Sequence, residues 1–182
     1  MARLPYVDPA TAPPEVREVL ERLPASLNVF RMMAHAGPGF RPLVQLGTSI
    51  LGRQKLSPRL RELTILRVAA LSPARYEWVQ HVPIAEAVGV TKDQIAALER
   101  NDIEARCFDD TDRLALRFVT EVIRDVRASE ATFAATAAAF SPQEVVDLIL
   151  TVGYYMMLAR LLETTAVDID PPAGTKIVDA SR

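Results

Sequence analysis

Sulfur and imidazole are scarce in this chain of 182 residues, which holds one cysteine, Cys107, and two histidines, His35 and His81. One cysteine excludes an intrachain disulfide framework, and it excludes a zinc cluster made from the cysteines of a single chain. This cysteine usage is the expectation for a cytoplasmic protein. Charge of one sign is lacking too. Lys plus Arg number 21 and Asp plus Glu 23, leaving a net charge of −2. That balance offers no broad basic field, so neither nucleic acid nor an anionic membrane is expected as a partner. No apolar run follows Arg3, so no signal peptide is expected. The longest apolar stretch, near Leu148 to Leu162, is interrupted by Thr151, Gly153, Tyr154, Tyr155 and Arg160, and it reads as too short and polar to span a bilayer. Strict two-residue alternation, the mark of a half-buried strand, is also missing.

What remains reads as helix. After a Pro-rich lead-in, Pro14 opens a short helix over Glu15 to Leu23. Asn28 to His35 reads as a second, closed by Gly37-Pro38-Gly39, and Phe40 to Gly52 as a third. Ser57-Pro58 supplies an N-cap followed by proline at the first helical position, leading into Leu60 to Leu71. Ser72-Pro73 repeats the device ahead of a helix that Gly89 ends. Thr91 with Gln94, and Ser141 with Glu144, have the spacing of capping boxes. Asp112 to Arg127 and Ser129 to Phe140 complete an all-α pattern. The expected organisation is a lead-in over 1–27, one helical domain over 28–168, and a loosely held tail over 169–182. Ser141 to Thr164 is apolar almost all round its axis, which suits a central core helix or a subunit interface and favours a homo-oligomer.

The helix after Pro73 raises the functional question. At about 100° per residue, Ala74, Glu77, His81, Ile84, Ala85 and Val88 share one side, with Trp78 and Val82 flanking it. An ionisable group on a buried face needs a partner. Glu77 and His81 lie one turn apart and are expected to pair. A carboxylate on one imidazole nitrogen fixes the tautomer and leaves the other for a substrate, the arrangement of a general acid–base couple. A core pair that only satisfies itself has the same spacing. Pro83 removes a backbone bond to Val79 and is expected to bend this helix. Glu62 stands beside an apolar stripe with Leu66 and Ala69; a surface pair with Arg59 is the competing expectation.

The runs Leu-Ser-Pro-Arg-Leu-Arg-Glu-Leu-Thr-Ile-Leu-Arg-Val-Ala and Tyr-Glu-Trp-Val-Gln-His-Val-Pro-Ile-Ala-Glu-Ala-Val-Gly-Val, followed by a C-terminal helix hairpin, resemble the carboxymuconolactone decarboxylase superfamily, which includes alkylhydroperoxidase-D-like proteins. The similarity runs from about Asn28 to Asp168. It implies an alkylhydroperoxidase-D-like helical bundle assembled as a homo-trimer or homo-hexamer, with a pocket among Glu62, Glu77 and His81. The superfamily's peroxidase branch carries a Glu, a Cys-x-x-Cys pair and a His one turn later. On this chain those positions fall on Glu62, on Ala74 and Glu77, and on His81, so the redox pair is missing. Thiol chemistry needs an attacking and a resolving sulfur. The chain looks more like the decarboxylase branch, and a peroxiredoxin-type family label would not describe its residues.

The resulting expectation is an acid–base, non-thiol enzyme acting on a small organic acid or lactone, with decarboxylation as one form. The catalytic candidates are His81 as proton shuttle, Glu77 as its orienting partner and Glu62 as a second base. Arg31 and Arg160, each a charge in an apolar run, are candidate carboxylate anchors, although such side chains also snorkel to the surface. Trp78, Tyr154 and Tyr155, with Met156 and Met157, are candidate pocket walls or core. A binding module without turnover is the alternative, and a residual hydroperoxidase a third reading. No cofactor is expected. No metal is expected either, since no zinc-motif spacing occurs, although a His with two carboxylates suits a divalent ion. His35 beside Gly37-Pro38 reads as a cap or surface group.

Overall fold

A computed structural model describes residues 1–181. Among them lie helices and no strand: α1 (Pro14–Arg22), α2 (Asn28–Met33), a 3-10 turn (Ala34–Gly39), α3 (Phe40–Arg53), α4 (Pro58–Leu71), α5 (Arg75–Ala87), α6 (Lys92–Glu99), α7 (Asp110–Asp125), α8 (Glu130–Ala139), α9 (Pro142–Thr165) and α10 (Gly174–Ser181). The starts follow local chemistry. Ser57 accepts from Leu60 N ahead of Pro58. Thr91–Gln94 and Ser141–Glu144 each close a reciprocal capping box. Such caps satisfy orphan N–H groups and stabilise a helix by about 0.5–2 kcal/mol. The start of α5 differs from expectation. Ser72 closes α4 instead, and α5 begins at Arg75 after Ala74, with no side-chain cap. Glu163 on α9 accepts from Arg75 N there at 3.1 Å.

The fold is built round α4, which is buried on every face and packs against α5, α7 and α9. Leu63, Ile65, Leu66 and Val68 are at most 1% exposed. Burying each such side chain contributes about 1.5–3 kcal/mol. Two arginines of this helix are engaged elsewhere in the fold. Arg67 donates to Thr120 and Asn101, and burial draws its pKa down to about 10. Arg59 makes a two-pronged pair with Asp112 on α7, so it does not serve Glu62. Ala69, Ala74 and Ala159 form a small-residue contact that brings α4, α5 and α9 close, with Trp78 packed over it.

An 18-residue window of α9 averages a hydropathy of 1.7, which by length and composition alone would let this helix cross a membrane. Packing accounts for much of that apolarity, since 56% of the window is buried against neighbours. The rest is a stripe on the outer face, where Val146, Ile149, Leu150 and Met157 are 51%, 43%, 45% and 38% exposed.

The segment after Asp168 is not loosely held, contrary to expectation. Asp170 accepts from Tyr76 Oη at 2.6 Å and from Asn28 N at 2.7 Å. Gln80 donates to the carbonyls of Asp170 and Pro171 and accepts from Ala173 N. Beyond them α10 packs on α3 and α5. Gly174 permits the approach, because a Cβ there would stand 2.6 Å from Ile84 Cδ1 and 2.8 Å from the Gln80 carbonyl oxygen. The lead-in is tied down at the same corner: Arg3 N donates to Thr165 O, and Tyr6 Oη to Asp168.

Candidate functional site

A cavity of about 140 Å³ opens between α2, α3, α5, α9 and α10. Its walls are mostly apolar, with Leu27, Val29, Phe30, Val44, Leu51, Ile84, Leu158 and Ile177 among them. Polar groups converge from α5 and α9, namely Tyr76, Glu77, Gln80, His81, Tyr154 and Tyr155, with Thr48 from α3. Gln80 and Tyr76 are committed to holding the 170–173 segment, and Tyr154 Oη donates to Leu43 O at 3.1 Å. His81 and Glu77 are the imidazole and the carboxyl in its wall.

His81 is 8% exposed, and its Nδ1 lies 2.8 Å from Glu62 Oε2. The expected pairing with Glu77 does not occur. Local spacing puts Glu77 beside His81, but the packing of α4 on α5 aims Glu62 at the ring from 19 residues upstream. Glu62 is fully buried, and its other oxygen accepts from Arg61 Nε at 3.0 Å. Arg61 in turn donates Nη1 to Leu51 O at 2.6 Å. This charge-assisted chain holds a carboxylate against Nδ1, so Nδ1 carries the proton and Nε2 is the nitrogen left for chemistry. Tyr155 meets the ring edge-on, with centroids 4.9 Å apart, and fixes its plane.

Glu77 is 2% exposed, and neither carboxyl oxygen has a hydrogen-bond partner. Burial, and then the charge of Glu163, pushes this carboxyl well above its usual range, favouring the neutral acid. Burial likewise raises the Tyr154 and Tyr155 hydroxyls, which stay protonated. The site therefore pairs two carboxyls of opposite character. One is salt-bridged behind a histidine, and the other is an acid in an apolar wall.

Other residues singled out in the sequence lie elsewhere. Arg31 donates Nε to Val7 O and stacks its guanidinium 5.1 Å over Tyr6. Arg160 is exposed and folds back onto Met156 O of its own helix, beside a surface cleft. Neither lines the cavity, so neither is placed to anchor a carboxylate there. Trp78 and Met156 are partly buried and also outside it. Cys107 is half-buried, and its backbone carbonyl accepts from Gln94. His35 Nε2 lies 2.7 Å from Pro5 O on the surface. Among the described residues, no three of His, Cys, Asp and Glu are grouped to hold a metal ion. Sequence reasoning missed Tyr76, Gln80 and Asp170. The one-turn spacing of Tyr76 and Gln80 on α5 was a legible signal for the first two; nothing local marked Asp170.

Residues 39–121 match the model of the Carboxymuconolactone decarboxylase family. No curated protein matches the chain. Among solved structures, an alkylhydroperoxidase AhpD core, an uncharacterized peroxidase-related protein from Ralstonia eutropha JMP134, superposes with a TM-score of 0.78 at 21% identity, covering 97% of this chain and 95% of its own. An uncharacterized peroxidase-related protein from Silicibacter sp. TM1040 gives 0.77 at 20% identity, covering 93% and 92%. The debrominase Bmp8, as a cysteine-to-alanine variant in complex with 2,3,4-tribromopyrrole, gives 0.74 at 15% identity over 100% of both chains. At these identities the likeness establishes a shared fold.

Proposed function

We propose, from the match of residues 39–121 to the Carboxymuconolactone decarboxylase family model and the fold shared with alkylhydroperoxidase-D-like structures, that this chain belongs to that superfamily and is a non-thiol acid–base enzyme acting on a small organic acid or lactone. The observation that carries the reading is the juxtaposition of the Glu62–His81 bond with the unpartnered Glu77 acid at one cavity. His81 Nε2 exchanges a proton with a substrate carbon next to a carbonyl. The electron pair of that C–H bond moves into the carbon–carbon bond, and the Glu77 O–H donates a hydrogen bond to the carbonyl oxygen where charge collects. Glu62 orients the ring and stabilises the imidazolium. The proton then returns to carbon, so electrons balance without a further reactant. In a decarboxylation the same histidine would deliver the proton after carbon dioxide leaves.

Thiol peroxidase chemistry lacks support in the residues. Ala74 and Glu77 stand where the peroxidase branch keeps its cysteines, and Cys107 lies outside the cavity. Assembly into a trimer or hexamer belongs to the same reading, and the exposed apolar stripe on α9 supports it. A cytoplasmic setting agrees with the single cysteine.

The test is hydrogen exchange at carbon. Wild type incubated in D₂O with carbon acids, among them carboxymuconolactone and simple lactones, should incorporate deuterium, read by NMR. His81→Gln should abolish incorporation while keeping the fold. Exchange in no compound, or exchange that persists in His81→Gln, overturns the proposal.

A further inference from the structure

The cavity's charge inventory bears on which of those two substrate classes it takes. Among the described residues lining it there is no Arg or Lys. Its polar end carries two carboxyl groups in close succession, Glu77 in the wall and Glu62 directly behind His81. Arg61 sits behind Glu62 rather than in the cavity wall, is 3% exposed, spends Nε on that carboxylate and Nη1 on Leu51 O, and keeps Nη2 buried without a partner. An anionic ligand would have to shed its hydration in an apolar space and settle against carboxyl groups, with no Arg or Lys side chain in the wall to compensate it.

The unspent hydrogen-bonding capacity has the opposite character. Glu77, in the cavity wall, has two carboxyl oxygens that are fully buried and without partners. In its acid form it donates one hydrogen bond and accepts another, which matches a carbonyl, hydroxyl or ring N–H. The volume of about 140 Å³ suits one small ring, being close to the size of apolar cavities that take up benzene. Apolar walls on α2, α3 and α10 would cover that ring's faces.

From this geometry we infer that the cavity binds an uncharged, single-ring compound bearing a carbonyl or hydroxyl, held by a hydrogen bond to Glu77, in preference to a carboxylate. The inference rests on the acid–base reading for its chemistry, and it narrows that reading from organic acids to lactones, cyclic ketones and phenols.

Matched pairs of probes test it. Binding of 2-cyclohexenone, an unsubstituted five-membered unsaturated lactone and phenol is measured by calorimetry at pH 7.5. Their carboxylated counterparts, carboxymuconolactone and 4-hydroxybenzoate among them, are measured alongside. At least one neutral ring should bind 10-fold or more tightly than its carboxylated partner. Glu77→Gln, which keeps an N–H donor, should retain that binding within a few-fold, and Glu77→Leu should weaken it 10-fold or more. Equal or tighter binding of the carboxylates overturns the inference, as does failure of every neutral ring to bind. Deuterium exchange on the same compounds separates the two claims. Carboxylates that bind and exchange through His81 sink the substrate class and leave the acid–base reading standing. Neutral rings that bind without exchange do the reverse.

Discussion

Replacing Glu77 with glutamine removes a titrating proton from a buried position while nearly preserving shape. In the unfolded chain a glutamate titrates at about 4.3. In the folded protein burial and Glu163 hold the Glu77 carboxyl well above that range. Below the unfolded value both states carry the proton, and this group adds no pH dependence. Above it the unfolded chain releases the proton and the native state keeps it, so stability falls as pH rises until the native pKa is passed. The limiting slope for one proton is about 1.4 kcal/mol per pH unit. For a domain of this size that corresponds to about 3–6 °C in Tm per unit. A glutamine in its place has nothing to release. Thermal melts of wild type and Glu77→Gln from pH 4.5 to 8, at constant ionic strength, should therefore start close together and diverge, the variant becoming the more stable. A difference that stays flat across that range would refute the claim that Glu77 is a buried acid, and its proposed hydrogen bond to the substrate carbonyl would go with it.

Removing the carboxylate behind His81 leaves a buried guanidinium without its partner. Glu62→Ala should cost about 3–5 kcal/mol in denaturant unfolding, and Glu62→Gln noticeably less. Cys107→Ser should change neither deuterium exchange nor Tm by more than experimental error, because the thiol lies outside the site; loss of activity would restore a thiol mechanism. Gly174→Ala forces a methyl group onto the Gln80 carbonyl and Ile84, so it should destabilise by about 1–3 kcal/mol and speed tryptic cleavage at Lys176. Ile149→Lys with Leu150→Lys places charges on the exposed stripe of α9. Light scattering should show an oligomer in wild type and the single-chain mass in the double variant, and a monomeric wild type would dispose of the assembly.

Legibility from sequence tracked the range of the interactions. Caps are local, and Ser57, Thr91 and Ser141 mark their helices as their spacing predicts. Glu62, Glu77 and His81 stand out because each is an ionisable residue on an apolar helix face, and all three are buried at or behind the cavity. Their wiring was not legible. One-turn spacing suggested a Glu77–His81 pair, while the partner chosen by packing comes from another helix. Arg31 and Arg160 look alike in sequence, as charges in apolar runs, but one backbone carbonyl each satisfies them away from the cavity. The tail departs from its loop-like composition for a related reason. Pro171, Pro172 and Gly174 carry the composition of a loop, whereas Asp170, Gln80 and the missing Cβ of Gly174 make the following helix a wall.

That wall has an evolutionary consequence. Glu62, Glu77 and His81 lie on α4 and α5, inside the stretch 39–121 that matches the family model. Much of the surface that would shape a bound ring comes from outside it, from 23–33 and from α10. Substitutions at Phe30, Ile177 or Ala180 can therefore re-cut the cavity without replacing Glu62, Glu77 or His81, whereas substitutions on α4 reach the centre of the core. On the proposed reading, chemistry and selectivity are encoded in separate parts of the chain, so close relatives could diverge in what they accept while keeping what they do to it.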